Sequence, residues 1–312
     1  MTRALVLSGG GSVGIAWQTG FAAGLATEGL ELADADAIIG TSAGSATGAQ
    51  LALRFDMAKR VDRYRQRTGE RVRGTVEDTP AGRRGRDPGG AGGPGGAGGL
   101  GGLMEIMRNA QDSSASPEER RAKIGAYALA ADTGHQDAFV ESFRYLSGHD
   151  WPDHYRCTAV DAESGAFVVW DHEAGVALPR AVASSCAVPG VYPPIAIGDR
   201  RYIDGGMRSG TNADLVTGYD KVLIISMRAN TQASGDAQTD ARMVRARAAL
   251  EREQQLLRES GAEVLLTGPD AESSAAFGTN LLGGSNLAEI AEQGMRQGAK
   301  AGSELADFWL AS

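Results

Sequence analysis

Two short apolar runs, each followed by a glycine turn and then by helical spacing, constrain this chain more than any other feature. Ala4 to Leu7 reads as a buried strand, and a glycine turn opens directly after it. From Val13 to Glu28, residues Ile15, Phe21 and Leu25 recur at helical positions until Gly29 ends the run. Ala37-Ile38-Ile39 repeats the pattern, with Gly40 after it and one helix predicted over Ala43 to Arg67. Strand, glycine turn and helix, twice over, predict an α/β fold with a mostly parallel sheet.

The pattern dissolves between Gly69 and Ser116. Gly89 to Gly102 is nearly all glycine with alanine and proline, too poor in apolar surface to offset its ordering entropy. It reads as a flexible insertion at 69–116 in a single domain spanning 1–312, because α/β patterning resumes after it. Leu100, Leu103, Met104, Ile106 and Met107 at its end read as a linker and a short core helix rather than as a lid. Further helices are predicted from Pro117, over Asp137 to Leu146, over Leu178 to Ser185, over Ala237 to Ser260 and from Asn286 onward. Strands are predicted over Arg156 to Val160, Ala166 to Trp170, Ile195 to Ile197, Arg201 to Ile203, Lys221 to Met227 and Val264 to Leu266.

Gly40-Thr41-Ser42-Ala43-Gly44 is a G-x-S-x-G element between a strand and a helix. A serine at such a turn is thrust out of the sheet, and its neighbours must be small so that strand and helix can approach. Gly9-Gly10-Gly11-Ser12-Val13-Gly14 follows the first strand. Its glycines suit either a dinucleotide pyrophosphate or an oxyanion. The first reading wants an acid at the end of the second strand. That tip carries Ser42, which favours the oxyanion reading. A nucleotide-binding oxidoreductase and a non-catalytic lipid-binding protein remain the alternatives.

A nucleophilic serine needs a base. His135, His149, His154 and His172 all lie in segments that would not present them beside an elbow, and none follows residue 172. A desolvated carboxylate can serve instead. Asp204 in Ile203-Asp204-Gly205-Gly206 ends a strand-like run and is followed by two glycines that admit close backbone approach.

Together, Gly9 to Gly14, Gly40 to Gly44 and Asp204 to Gly206 resemble the signature of the patatin-like phospholipase family. Ala183 to Pro194 is similar to the family's segment before the aspartate, with a weaker echo near Phe277 to Leu282. The resemblance implies a three-layer α/β/α fold and a Ser–Asp dyad that hydrolyses acyl esters, often of lipids, without metal or cofactor. It implies Ser42 as nucleophile and Asp204 as general base. Gly9, Gly10, Gly11, Ser12 and Gly14 would form the oxyanion hole, Gly40 and Gly44 the elbow, and Gly205 and Gly206 would support the base. Val13 departs from the Arg or Lys that the family usually carries there, so that cation is missing.

The 312 residues are 42% hydrophobic and 22% charged, with a formal net charge of -8. That balance leaves no footprint for nucleic acid. The expected partner is a lipid or acyl-ester substrate, with transient membrane-surface contact. Two widely spaced cysteines, no signal-peptide core and no long apolar run predict a cytoplasmic protein without an anchor.

Overall fold

The computed structural model describes residues 1–76, 101–103, 105–106, 114–230, 237–277, 281–283 and 286–311. Eight strands form one sheet among these residues: β1 (Arg3–Leu7), β2 (Ala37–Gly40), β3 (Tyr155–Asp161), β4 (Phe167–Trp170), β5 (Ile195–Ile197), β6 (Arg200–Asp204), β7 (Lys221–Ile225) and β8 (Glu263–Thr267). Their order is β5-β6-β3-β2-β1-β7-β8, with β4 also paired to β3. The five strands β3, β2, β1, β7 and β8 run parallel, whereas β4, β5 and β6 pair antiparallel.

Helices cover both faces: α1 (Gly11–Thr27), α2 (Ala43–Ala52), α3 (Met57–Val76), α4 (Pro117–Ala130), α5 (Gln136–Glu141), α6 (Leu178–Ser185), α7 (Ala237–Glu259), α8 (Ala271–Phe277) and α9 (Leu287–Leu310). Strand alternation explains the layering. Leu5 and Leu7 of β1 enter the larger core with Trp17, Phe21, Ala46 and Trp309. Ala4 and Val6 face the opposite core with Val222, Ile224, Leu250 and Leu257. The result is a three-layer α/β/α architecture.

α1 and α9 lie against each other through glycine. A methyl group on Gly20 would fall 1.8 Å from the Ala291 carbonyl oxygen, and one on Gly298 would fall 2.2 Å from that of Phe21. No side chain fits at either point, so backbone meets backbone. The buried Lys221 anchors the end of α9, its Nζ donating to the carbonyls of Phe308 at 2.8 Å and Ala311 at 2.7 Å. That places a cation on the helix's unpaired carbonyls and negative dipole end. Gly298→Val should destabilise the fold by about 3 kcal/mol, the upper range for overpacking, because backbone cannot yield as a side chain can. Urea unfolding measures this, and a loss under about 0.5 kcal/mol would contradict the close-approach account.

Three expectations need correction. The single helix predicted over Ala43 to Arg67 is broken at Leu53 to Asp56. Arg54 turns left-handed at φ 54, its amide bonds Leu51 O at 2.8 Å, and the Phe55 amide bonds Gln50 O at 2.9 Å. These bonds close α2. The Asp56 carboxylate then accepts from the Lys59 amide at 3.0 Å and starts α3. The helix predicted over Asp137 to Leu146 is α5 followed by a separate 3₁₀ turn at Arg144–Leu146. The expected insertion begins later than 69 in backbone terms, since α3 runs to Val76. Residues 77–100, 104 and 107–113 lie outside the described residues, Leu100, Met104 and Met107 among them. Leu103 is buried and Ile106 packs beside it against Ile124, Ala128, Val160 and Ile203. Among the described residues no helix is long and apolar enough to cross a membrane.

Candidate active site

β2 ends at Gly40 and α2 begins at Ala43, so two residues make the reversal. Ser42 absorbs it with φ 53 and ψ -118. A side-chain-bearing residue in such a conformation costs on the order of 1–3 kcal/mol and persists only where its surroundings hold it. Crowding explains the flanking glycines. A methyl on Gly44 would fall 2.0 Å from Leu7 O, and one on Gly40 would fall 2.4 Å from Ser45 Cα. The Ser42 amide donates to Ser185 Oγ at 3.0 Å. Its carbonyl accepts from Ser45 N at 2.9 Å, Ser45 Oγ at 2.6 Å and Cys186 Sγ at 3.1 Å.

The glycine loop leans over this serine. A methyl on Gly9 would meet Ser42 Cβ at 3.3 Å, tight enough that the serine would have to give way by a few tenths of an ångström. The Gly9 amide bonds Gly210 O at 2.9 Å, and Gly14 N closes the first helical bond to Gly10 O at 2.8 Å. Val13 is buried and its amide is taken by Leu281 O at 3.1 Å. No described residue accepts from the amides of Gly10, Gly11 or Ser12. They stand at the positive end of α1, where helix geometry leaves donors unpaired. Of the loop residues expected to hold an oxyanion, these three have no acceptor for their amides among the described residues, whereas the amides of Gly9 and Gly14 are taken.

Asp204 ends β6 and is 2% exposed. Burial pushes its carboxyl up from the ordinary 3.8 to about 6, while bonds from the Ser42 hydroxyl and the Gly206 amide pull the other way. The Gly206 bond is 2.7 Å. Gly205 presses on Thr158, where a methyl would fall 2.2 Å from Oγ1. The fold therefore brings together the serine and the carboxylate from segments over 160 residues apart, near enough that the Ser42 hydroxyl offsets part of the carboxyl's upward shift.

The histidines stay apart from this pair. His135, His149 and His172 are exposed, and His154 is half-buried before β3 with Nε2 unpartnered among the described residues. Replacing each in turn by Gln should leave ester hydrolysis within about tenfold, under about 1.4 kcal/mol of barrier. A loss of several orders of magnitude at one of them, with circular dichroism intact, would restore a histidine base. Cys186 lies nearer, but burial raises its thiol well above the ordinary range, so it stays a neutral donor rather than a nucleophile.

Sequence reasoning assigned no role to Ser185, Cys186 or Asn212. Asn212 is fully buried at φ 53, and its Nδ2 donates to Thr41 Oγ1 at 3.0 Å and Ser209 O at 2.8 Å. It ties the elbow strand to the loop after Asp204. The one available signal was Ala183 to Pro194, whose resemblance named a segment but no function for it.

With this geometry in view, the sequence match becomes decisive: the Patatin-like phospholipase family matches residues 5–217. The chain belongs to the patatin-like phospholipase family. That family is one of lipid acyl hydrolases, and its matched region includes both candidate dyad residues. No curated protein matches the sequence. Among solved structures, the crystal structure of VipD from Legionella pneumophila is similar at a TM-score of 0.38 and 13% identity, over 96% of this chain and 67% of that one. Helices α7 to α9 of this patatin-like chain lie beyond the matched residues, yet α9 buries its glycines against α1.

Proposed function

We propose that the protein is a serine hydrolase of lipid acyl esters, with Ser42 as nucleophile and Asp204 as its general base. One observation carries the reading. Asp204 is a buried carboxylate close enough to the Ser42 hydroxyl to feel it, with its pKa lifted to about 6, so it is ionised at neutral pH yet basic enough to accept a proton. Asp204 takes the Ser42 proton as Oγ attacks the ester carbonyl carbon. The amides of Gly10, Gly11 and Ser12, which have no acceptor among the described residues, stabilise the resulting oxyanion. The carbonyl re-forms, the bond to the alcohol oxygen breaks, and Asp204 returns its proton to that oxygen. An acyl-serine remains. Water, deprotonated by Asp204, attacks it, and the fatty acid leaves as Ser42 regains its proton.

The nucleotide alternative finds less support. Gly9 packs on Ser42, Gly10 on Met227 and Gly11 on Leu281 and Leu282, so the loop turns toward the serine rather than cradling a pyrophosphate. Val13 brings no cation to the loop, which favours neutral acyl esters over anionic phospholipids. Two free buried thiols fit a reducing, cytoplasmic compartment. The packing of α9 on α1 supports reading the chain as one domain. A panel of p-nitrophenyl esters of graded chain length, with phospholipid vesicles alongside and a fluorophosphonate probe for Ser42, tests the reading. Hydrolysis of medium or long esters and labelling at Ser42 are expected. A pure protein that neither hydrolyses nor labels is a non-catalytic member of the family.

A further inference from the structure

We infer that Ser185 is a positioning residue for Ser42, and that the segment from Ser185 to Tyr192 sets the register of nucleophile, base and oxyanion loop together. The inference rests on the Ser42–Asp204 reading above.

Ser185 is the last residue of α6 and is fully buried. Its Oγ accepts from the Ser42 amide at 3.0 Å. Ser42 caps α2 from a sparsely populated conformation, so its amide has no helical partner, and Ser185 supplies one. The next residue holds the peptide unit on the other side of the same serine, Cys186 Sγ donating to Ser42 O at 3.1 Å. The residue after that reaches the base, since Ala187 O accepts from the Asp204 amide at 3.0 Å. Further on, Tyr192 lies near enough to Ser12, in the first turn of α1, for the serine side chain to act on its phenol. Tyr192 is itself fixed by stacking on Phe139, with ring centres 4.3 Å apart. One stretch of chain thus touches the backbone of both dyad members and the loop above them.

Ser184 shows that this is not a general property of buried serines on α6. It is equally buried, but it accepts from Trp170 Nε1 at 3.0 Å and donates to Ala181 O at 2.7 Å, away from the elbow. Successive helical residues point about 100° apart, so one serves the core and the other the site. The direction of Ser42 Oγ follows its backbone, and attack requires Oγ to meet the carbonyl carbon from above its plane, at an oblique angle to the C=O bond. A small tilt of the peptide unit is therefore costly to rate while leaving substrate binding alone.

The test compares Ser185→Ala, Ser185→Thr and Ser184→Ala with the wild-type protein. The readouts are kcat and KM on a short p-nitrophenyl ester, the rate of fluorophosphonate labelling, and Tm. Ser185→Ala should lower both kcat and the labelling rate about 10- to 100-fold, the range for losing the partner of one buried amide, with KM within about twofold. Ser185→Thr, which keeps the hydroxyl, should return to within about threefold of wild type. Ser184→Ala should lower Tm with kcat within about threefold. If Ser185→Ala does not fold, Ser185→Cys offers a weaker acceptor of similar volume and should show the same loss. A Ser185 variant lacking the hydroxyl oxygen but working at near wild-type kcat overturns the inference, whatever its Tm. So does Ser185→Thr as slow as Ser185→Ala. A wild-type protein that neither hydrolyses nor labels fails the dyad reading instead, which separates the two failures.

Discussion

Ser42→Ala should abolish ester hydrolysis, with turnover falling by at least about 10⁴-fold, as expected when the only nucleophile is removed. No described group replaces it. The Cys186 thiol is held neutral by burial, and the Ser45 hydroxyl is already spent on the Ser42 carbonyl. Stability should change little, because alanine fits the elbow and inherits the same φ of 53. Ser42→Gly isolates the strain. It should also be inactive, yet it should gain about 1 kcal/mol from relief of the left-handed backbone. Turnover in purified protein free of contaminating esterase, together with urea unfolding, measures both. Substantial hydrolysis by Ser42→Ala would end the assignment of the nucleophile.

Asp204→Asn should lower turnover by about 10² to 10⁴-fold, or about 3 to 5 kcal/mol of barrier, the range for general-base assistance. The shape and the acceptor for the Gly206 amide survive, so folding should too. The wild-type rate should fall as pH drops through about 6, where the carboxylate protonates, and this limb should vanish from whatever activity the Asn variant retains. Stability has the opposite sign. A carboxyl whose folded value is raised from 3.8 to about 6 favours the fold below its unfolded value, and that contribution is lost as pH rises through about 6. Ionised Asp204 then costs the fold about 3 kcal/mol at pH 8, relative to acid conditions. Asp204→Asn should therefore be more stable than wild type at pH 8, with the gap closing toward pH 4. Near-normal turnover with the acid limb unchanged would show that the Ser42 proton goes elsewhere.

Much of this architecture is written in local pattern. β1 and β2 are continuous apolar runs bounded by glycine, and α6 spans the Leu178–Ser185 run that its spacing indicates. Ser42 and Asp204 were legible for a steric reason: both need close backbone approach, and glycine beside them marks it. The break between α2 and α3 was missed because a left-handed arginine carries no glycine to announce it, although Asp56 is a recognisable cap. The antiparallel pairing of β6 with β3 was not legible either, since it depends on where the chain returns. Ser185 was invisible as a site residue because its partner amide is 143 positions away. Nothing within hydrogen-bonding reach along the sequence distinguishes it from Ser184.

The glycine seam between α1 and α9 has a consequence for synthesis. The two faces that meet there are about 270 residues apart, so α1 must wait for its partner while the ribosome makes nearly everything else. At about 5–20 residues per second that delay is roughly 15 to 50 seconds. Throughout it, the helix that begins at the glycine loop lacks the surface that holds its far half in place. The loop and the elbow are translated first, but the glycine face of α1 stays open until α9 emerges. A nascent chain, or one terminated before α9, carries Ser42 on a fold whose α1 glycines are still uncovered.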